Sequence, residues 1–240
     1  INMKKLTKIL SLMLALTMLL NFPVAGSAAE LEDAPIDESR TGSLTIYKYD
    51  LTNAEKDGVW DSSYVSTGVF DQTGVNDVLG GGSSTLGNGE TGYGYAIKGV
   101  EFSYLKVADI VQFSESENDS RTDSHVEVLY AIDKTKGADF LKALNLADGA
   151  QRYINADALD ETKYFYQSDV LIDALAAALE SNSTVVKNAL EAYISANGGA
   201  AMPLTDAYGK TKAENLNLGL YLVVETKVPE MVVSTTDPFL

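Results

Sequence analysis

Residues 219–229 read Gly-Leu-Tyr-Leu-Val-Val-Glu-Thr-Lys-Val-Pro, an apolar run broken by a single carboxylate. Side chains of an extended strand alternate between its faces. Tyr221, Val223 and Glu225 therefore share one side, and Leu220, Leu222, Val224 and Thr226 the other. Both sides are apolar ahead of Glu225, which predicts a strand covered on both faces. Burying an ionised carboxylate costs several kcal/mol unless it is paired, hydrogen-bonded or protonated. Glu225 therefore requires a partner.

The first ordered segment carries a lysine on an apolar face. Ser43 to Asp50 alternates as a strand, with Leu44, Ile46 and Lys48 on one face and Thr45, Tyr47 and Tyr49 on the other. Lys48 continues the apolar face. As an ordinary edge-strand lysine it would lay its stem on the sheet and keep its amine in water. As a buried, uncharged amine it would be a nucleophile, because only the free base carries the lone pair that attacks. Spacing by itself leaves both readings open.

Between these two segments, Gly80 to Ser84 and Gly87 to Gly94 read as loops. Tyr95 to Val107 forms a second strand region, and His125 to Ile132 a third through its Val126, Val128, Tyr130 alternation. The period then becomes helical. Phe140, Leu141 and Leu144 share a side within Gly137 to Leu146, and Val170, Leu171, Ala174, Leu175, Ala178 and Leu179 form a stripe from Ser168 onward. After Ser181-Asn182-Ser183 the stripe resumes with Val186, Leu190 and Ile194, and Gly198-Gly199 stops it. Leu216 to Val228 is the strand quoted above, and Met231 to Leu240 begins another. Strands, a helical block and strands again predict a mainly β fold, a β-sandwich with an α-helical insertion at about 137–199.

The quoted strand resembles the E-box, Tyr-x-Leu-x-Glu-Thr-x-x-Pro, of Gram-positive sortase-assembled pilins. Tyr221, Glu225, Thr226 and Pro229 match, and Val223 stands where Leu is usual. The segment Gly99-Val100-Glu101-Phe102 resembles a strand near the start of the same family's domains. The resemblance implies an Ig-like, CnaB-like sandwich over residues 42–240, the N-terminal domain of a major pilin (fimbrial shaft subunit). It further implies an intramolecular isopeptide bond from Lys48 to an Asn on the last strand, promoted by Glu225, with Glu101 as the rival acid. No Asn follows Asn217. The acceptor is thus expected beyond residue 240, and Asn215 and Asn217 are expected in a turn. The chain stops on Asp237-Pro238-Phe239-Leu240 as a strand begins, and is read as continuing further.

The implied function is that of a structural subunit of a covalently polymerised cell-surface pilus mediating adhesion. The alternative is a cell-wall-anchored adhesin or minor tip pilin that binds host matrix. Implied partners are other pilin subunits, a pilin-specific sortase and a host surface ligand. The family's polymerising Tyr-Pro-Lys and its sorting signal are absent from these residues.

Composition narrows the classes. Lys4, Lys5 and Lys8, the apolar run Ile9 to Leu20 and the small residues Ser27-Ala28-Ala29 make residues 1–29 a secretory signal peptide, with Ile1 and Asn2 preceding the start at Met3. Residues 30–41 form a polar, flexible leader. The chain is expected to be secreted to the cell surface. Without the signal, 15 basic residues face 34 acidic ones, a net charge of −19 that disfavours nucleic acid. An exported chain with no cysteine forgoes disulfides where they are permitted. His125 is the lone His and no Cys exists, so a Ser-His-Asp triad and metal catalysis lack residues, and neither an enzyme nor a cofactor is expected. The acidic run Ser114 to Asp123, with Glu115, Glu117, Asp119 and Asp123, lacks the Gly and closing Glu of a calcium loop and reads as solvated.

Overall fold

The computed structural model describes residues 36–37, 39–58, 83–85, 91–114, 126–230 and 235–240. The chain divides into Ile1–Ile36 and Asp37–Leu240, and every element below belongs to the second unit. The signal peptide, most of the leader, the acidic run from Glu115 and His125 lie outside the described residues.

Strand outweighs helix, 36% against 30%, and every strand pairing is antiparallel among the described residues. In chain order the strands are β1 (Thr41–Tyr47), β2 (Ser83–Thr85), β3 (Thr91–Tyr93), β4 (Glu101–Ser114), β5 (Val126–Asp133), β6 (Lys163–Tyr166), β7 (Ala200–Ala201), β8 (Lys210–Asn217) and β9 (Leu220–Lys227). The helices are α1 (Leu51–Lys56), α2 (Ala138–Ala143) and α3 (Ser168–Ala196). β4 is the spine. Its first half pairs with β9, its second half with β5, and β5 pairs in turn with β6. β1 pairs with β8 in a separate sheet.

The two faces of β9 are covered by different layers, which is why its sequence is apolar on both. On one side Phe102, Tyr104, Met202 and Val223 pack with Leu44, Ile46, Ala213 and Leu216 of the β1–β8 sheet. On the other, Leu220, Leu222, Val224 and Val107 join a core with Leu171, Leu175, Leu190 and Ile194 of α3. The β4–β9 pair is thus the middle layer, between a two-stranded sheet and the helices.

The helical span departs from expectation in one way: it is not wholly helical, since β6 lies inside 137–199 and extends the sheet from β5. Its helices share a core with Leu220, Leu222 and Val224 of β9 and Val107 of β4. Helical periodicity reports an apolar stripe and does not say what covers it.

Within α3 the break at Ser181-Asn182-Ser183 is real: Asn182 has φ −158 and ψ 76, and its Oδ1 accepts the Val185 N–H at 3.4 Å, capping the second half. At the far end Gly198 takes φ +77 and the Gly199 N–H returns to Ile194 O at 2.9 Å, the closing pattern of a helix terminus.

Four further expectations change. β4 runs to Ser114 rather than ending at Val107, because Val111 and Phe113 continue the alternation past Asp109, which Lys106 and Lys163 bind at 2.8 and 3.2 Å. Ser83, Ser84 and Thr91–Tyr93, expected as loop, lie in β2 and β3, which pair antiparallel. Strand Leu216 to Val228 is two strands, β8 and β9, so Asn215 and Asn217 lie in β8 and not in a turn; Asn215 has φ +57 where the register with β1 shifts. Of the stretch after Met231, residues 231–234 are outside the described set, and Phe239 alone bridges, to Val223.

Candidate functional site

Lys48 follows β1 directly, and its backbone is held on both sides. Its N–H donates to Gly209 O at 2.8 Å, and its carbonyl accepts from Ile97 N–H at 3.0 Å. Gly209 has φ +71, and a Cβ there would sit 2.3 Å from Lys48 O. Only glycine combines that conformation with that approach. The anchored backbone sends the Lys48 side chain the way Leu44 and Ile46 point, between the two sheets, where it is 12% exposed.

Glu225 meets it there. Lys48 Nζ lies 2.8 Å from Glu225 Oε2, and the Glu225 side chain is wholly buried, at 0% exposure. Glu225 stands opposite Phe102 of β4, so both neighbouring faces are apolar. The third member is Thr236, whose hydroxyl accepts from Lys48 Nζ and whose N–H donates to Glu225 Oε2 at 3.2 Å. Glu225 Oε1 is buried and has no hydrogen-bond partner among the described residues. A buried acceptor left so costs about 1–3 kcal/mol. The carboxyl group therefore has one oxygen committed and one available.

Glu101 is not brought to Lys48. Its Oε1 accepts the Thr226 hydroxyl at 3.1 Å, and Thr226 shares the face of β9 that carries Leu222 and Val224, opposite Glu225. The other motif residues each hold an end of β9. Tyr221 donates its hydroxyl to Asn217 O at 2.7 Å across the β8–β9 turn, and its ring stands 6.1 Å from that of Tyr104. Burial, and Tyr104 after it, push the Tyr221 hydroxyl above its ordinary pKa. Thr226 also lies 3.2 Å from the Ser103 hydroxyl, tying β9 to β4. Pro229 rests against Gly99, which has φ +87.

Asn215 and Asn217 are far from the pair. Asn217 stands opposite Thr41, at the other end of β1 from Lys48 and roughly 20 Å away along the strand. Thr236 had no signal in the sequence, where it is one of several polar residues before Pro238.

Other centres are few. Among the described residues no three His, Asp or Glu side chains are grouped to hold a metal ion, and no helix is long and apolar enough to cross a membrane. A groove of about 560 Å³ lies between α2 and α3, lined by Asp139, Lys142, Asn182, Val185 and Ala189 among others. No family model matches the chain, and no curated protein and no solved structure matches it either.

Proposed function

We propose that this chain is a structural subunit of a covalently assembled cell-surface fibre, a pilus of the Gram-positive sortase-assembled kind that mediates adhesion, with an Ig-like, CnaB-like sandwich closed by an intramolecular isopeptide bond from Lys48. The observation that carries the proposal is the buried Lys48–Glu225 pair with its one unpartnered oxygen, Glu225 Oε1. An ion pair in such a place is poor stabilisation, since desolvating both charges offsets most of their attraction. The same arrangement suits a condensation. A proton moved from Lys48 to the carboxyl group, and carried there on the unpartnered Oε1, gives a neutral amine, the form that attacks, beside an acid able to donate a hydrogen bond.

In that reaction the Lys48 nitrogen attacks the side-chain carbon of an Asn carboxamide. A new N–C bond forms, the carboxamide C–N bond breaks, and the nitrogen leaves as ammonia with the proton given up by Lys48. Glu225, through Oε1, would donate a hydrogen bond to the carboxamide oxygen as charge develops there. Phe239 pairs with Val223, so an antiparallel strand continuing from it moves away from Glu225 toward Tyr221. On this proposal the acceptor Asn comes from a strand other than the one that Phe239 would extend. Closing a loop of about 200 residues contributes about 5 kcal/mol in the chain-entropy account. Its larger effect is mechanical, because the first and last strands no longer separate under load.

The acid assignment follows the same geometry, with Glu225 in the role and Glu101 outside it. Partners on this proposal are further subunits, a sortase and a host surface ligand. Intact-mass measurement on the full-length subunit tests it. Wild type should lack one ammonia, Lys48→Ala and Glu225→Ala should show their full encoded masses, and Glu101→Ala should behave as wild type. A wild-type subunit at its encoded mass refutes the crosslink, and a deficit lost in Glu101→Ala but kept in Glu225→Ala refutes the choice of acid.

A further inference from the structure

Residues 235–237 touch two parts of the molecule at once. Toward the sheets, Thr236 bonds Lys48 Nζ through its hydroxyl and Glu225 Oε2 through its N–H. Toward the helices, Asp237 Oδ1 lies 2.7 Å from Lys187 Nζ and accepts from the Ser183 hydroxyl at 3.3 Å, while Thr235 Oγ1 accepts from Lys187 Nζ at 3.4 Å. Ser183 and Lys187 both follow the break at Asn182, on the second half of α3. The contacts alternate along the segment: Thr236 reaches inward while Thr235 and Asp237 on either side of it reach the helix.

We infer that residues 235–237 are a clamp for the Lys48–Glu225 pair, with Thr236 as the positioning residue and the Lys187–Asp237 contact of α3 as the clip that holds it in place. Its purpose rests on the crosslinking proposal above, but its geometry does not. Thr236 occupies one hydrogen of the amine and, with Lys48, the Oε2 side of the carboxyl group. That leaves Oε1 as the oxygen facing an incoming carboxamide, and it fixes the direction in which the Lys48 nitrogen can move. The second half of α3 thereby contributes to the site through a strap.

The clamp predicts how well Lys48 is shielded in the 240-residue chain, where no Asn follows Asn217 to consume the amine. The probe is a small amine-acylating reagent, with labelling at Lys48 and at the exposed Lys56 read separately by peptide mass spectrometry. Thr236→Val keeps the shape and removes the hydroxyl. It should speed Lys48 labelling by about ten-fold or more, the size of a hydrogen bond to a charged group. Thr236→Ser restores the hydroxyl and should stay within about two-fold of wild type. Asp237→Ala should speed labelling by about two- to five-fold, which is what an exposed ion pair supports. The exchange Lys187→Asp with Asp237→Lys should return the rate toward wild type.

Lys56 labelling should not change in any variant. Asp237 is 58% exposed, so its replacement leaves the fold intact even if Thr236→Val does not. Equal Lys48 rates in wild type and Asp237→Ala overturn the clip, and Thr236→Ser labelling as fast as Thr236→Val overturns the positioning role. The full-length subunit separates the two ideas. If it keeps its encoded mass, crosslinking fails while the labelling contrast still decides the clamp; if it loses ammonia, Thr236→Val should slow that loss and Thr236→Ser should not.

Discussion

Removing one member of the Lys48–Glu225 pair should destabilise the 240-residue chain far more than removing both. At 2.8 Å and an effective dielectric of about 20, the attraction is about 6 kcal/mol. Desolvation of the wholly buried carboxylate and of an amine only 12% exposed cancels most of this in the intact pair. Glu225→Leu strands the Lys48 charge between two apolar faces, and such a broken pair costs about 3–5 kcal/mol. The double variant Lys48→Met, Glu225→Leu fills the same space without charge. It also removes the unpartnered Oε1, so its stability should lie within about 1 kcal/mol of wild type. The coupling between the two positions should then exceed about 2 kcal/mol. Urea unfolding followed by circular dichroism measures it. With a slope of about 2 kcal/mol per molar, Glu225→Leu should lower the midpoint by about 1.5–2.5 M, and the double variant should recover most of that. A Glu225→Leu cost below about 1 kcal/mol, or a double variant whose loss equals the sum of the singles, refutes a buried pair whose members depend on each other.

Two other outcomes follow from the core. Burial, with Tyr164 second, pushes the Tyr166 hydroxyl from the ordinary 10.0 up to about 12. The folded state therefore keeps a proton that the unfolded state gives up, so this residue's contribution is intact below pH 10, is lost between about 10 and 12, and should vanish from the alkaline unfolding curve in Tyr166→Phe. Leu190 is fully buried on the second half of α3, and Leu190→Ala should cost about 2–5 kcal/mol, with exchange of the whole of α3 for a Gly/Ser linker abolishing cooperative thermal unfolding; a linker variant that still unfolds cooperatively would place the helices outside the core.

How much of this was legible from sequence depends on whether the deciding interaction is local. The alternation of residues 220–226 gives a strand covered on both faces, because side-chain direction along a strand is set by the backbone alone. The stripe of α3, its interruption at Asn182 and its stop at Gly198 are local for the same reason. The need of Glu225 for a partner, and Lys48 as the side chain continuing the face of Leu44 and Ile46, follow from burial cost and period. Tertiary structure decided the rest. Lys210 to Asn217 carries alternating charges over few apolar residues, so β8 exists only because β1 pairs with it. Glu101 and Glu225 look alike as lone acids in apolar strands. The register of β4 against β9 puts them on opposite faces and gives Glu101 to Thr226. Helical periodicity does not reveal that α3 covers β9, and nothing near Thr236 shows that it meets Lys48, 188 residues earlier. Contacts of that separation depend on how whole layers stack, which the spacing of neighbouring residues does not encode.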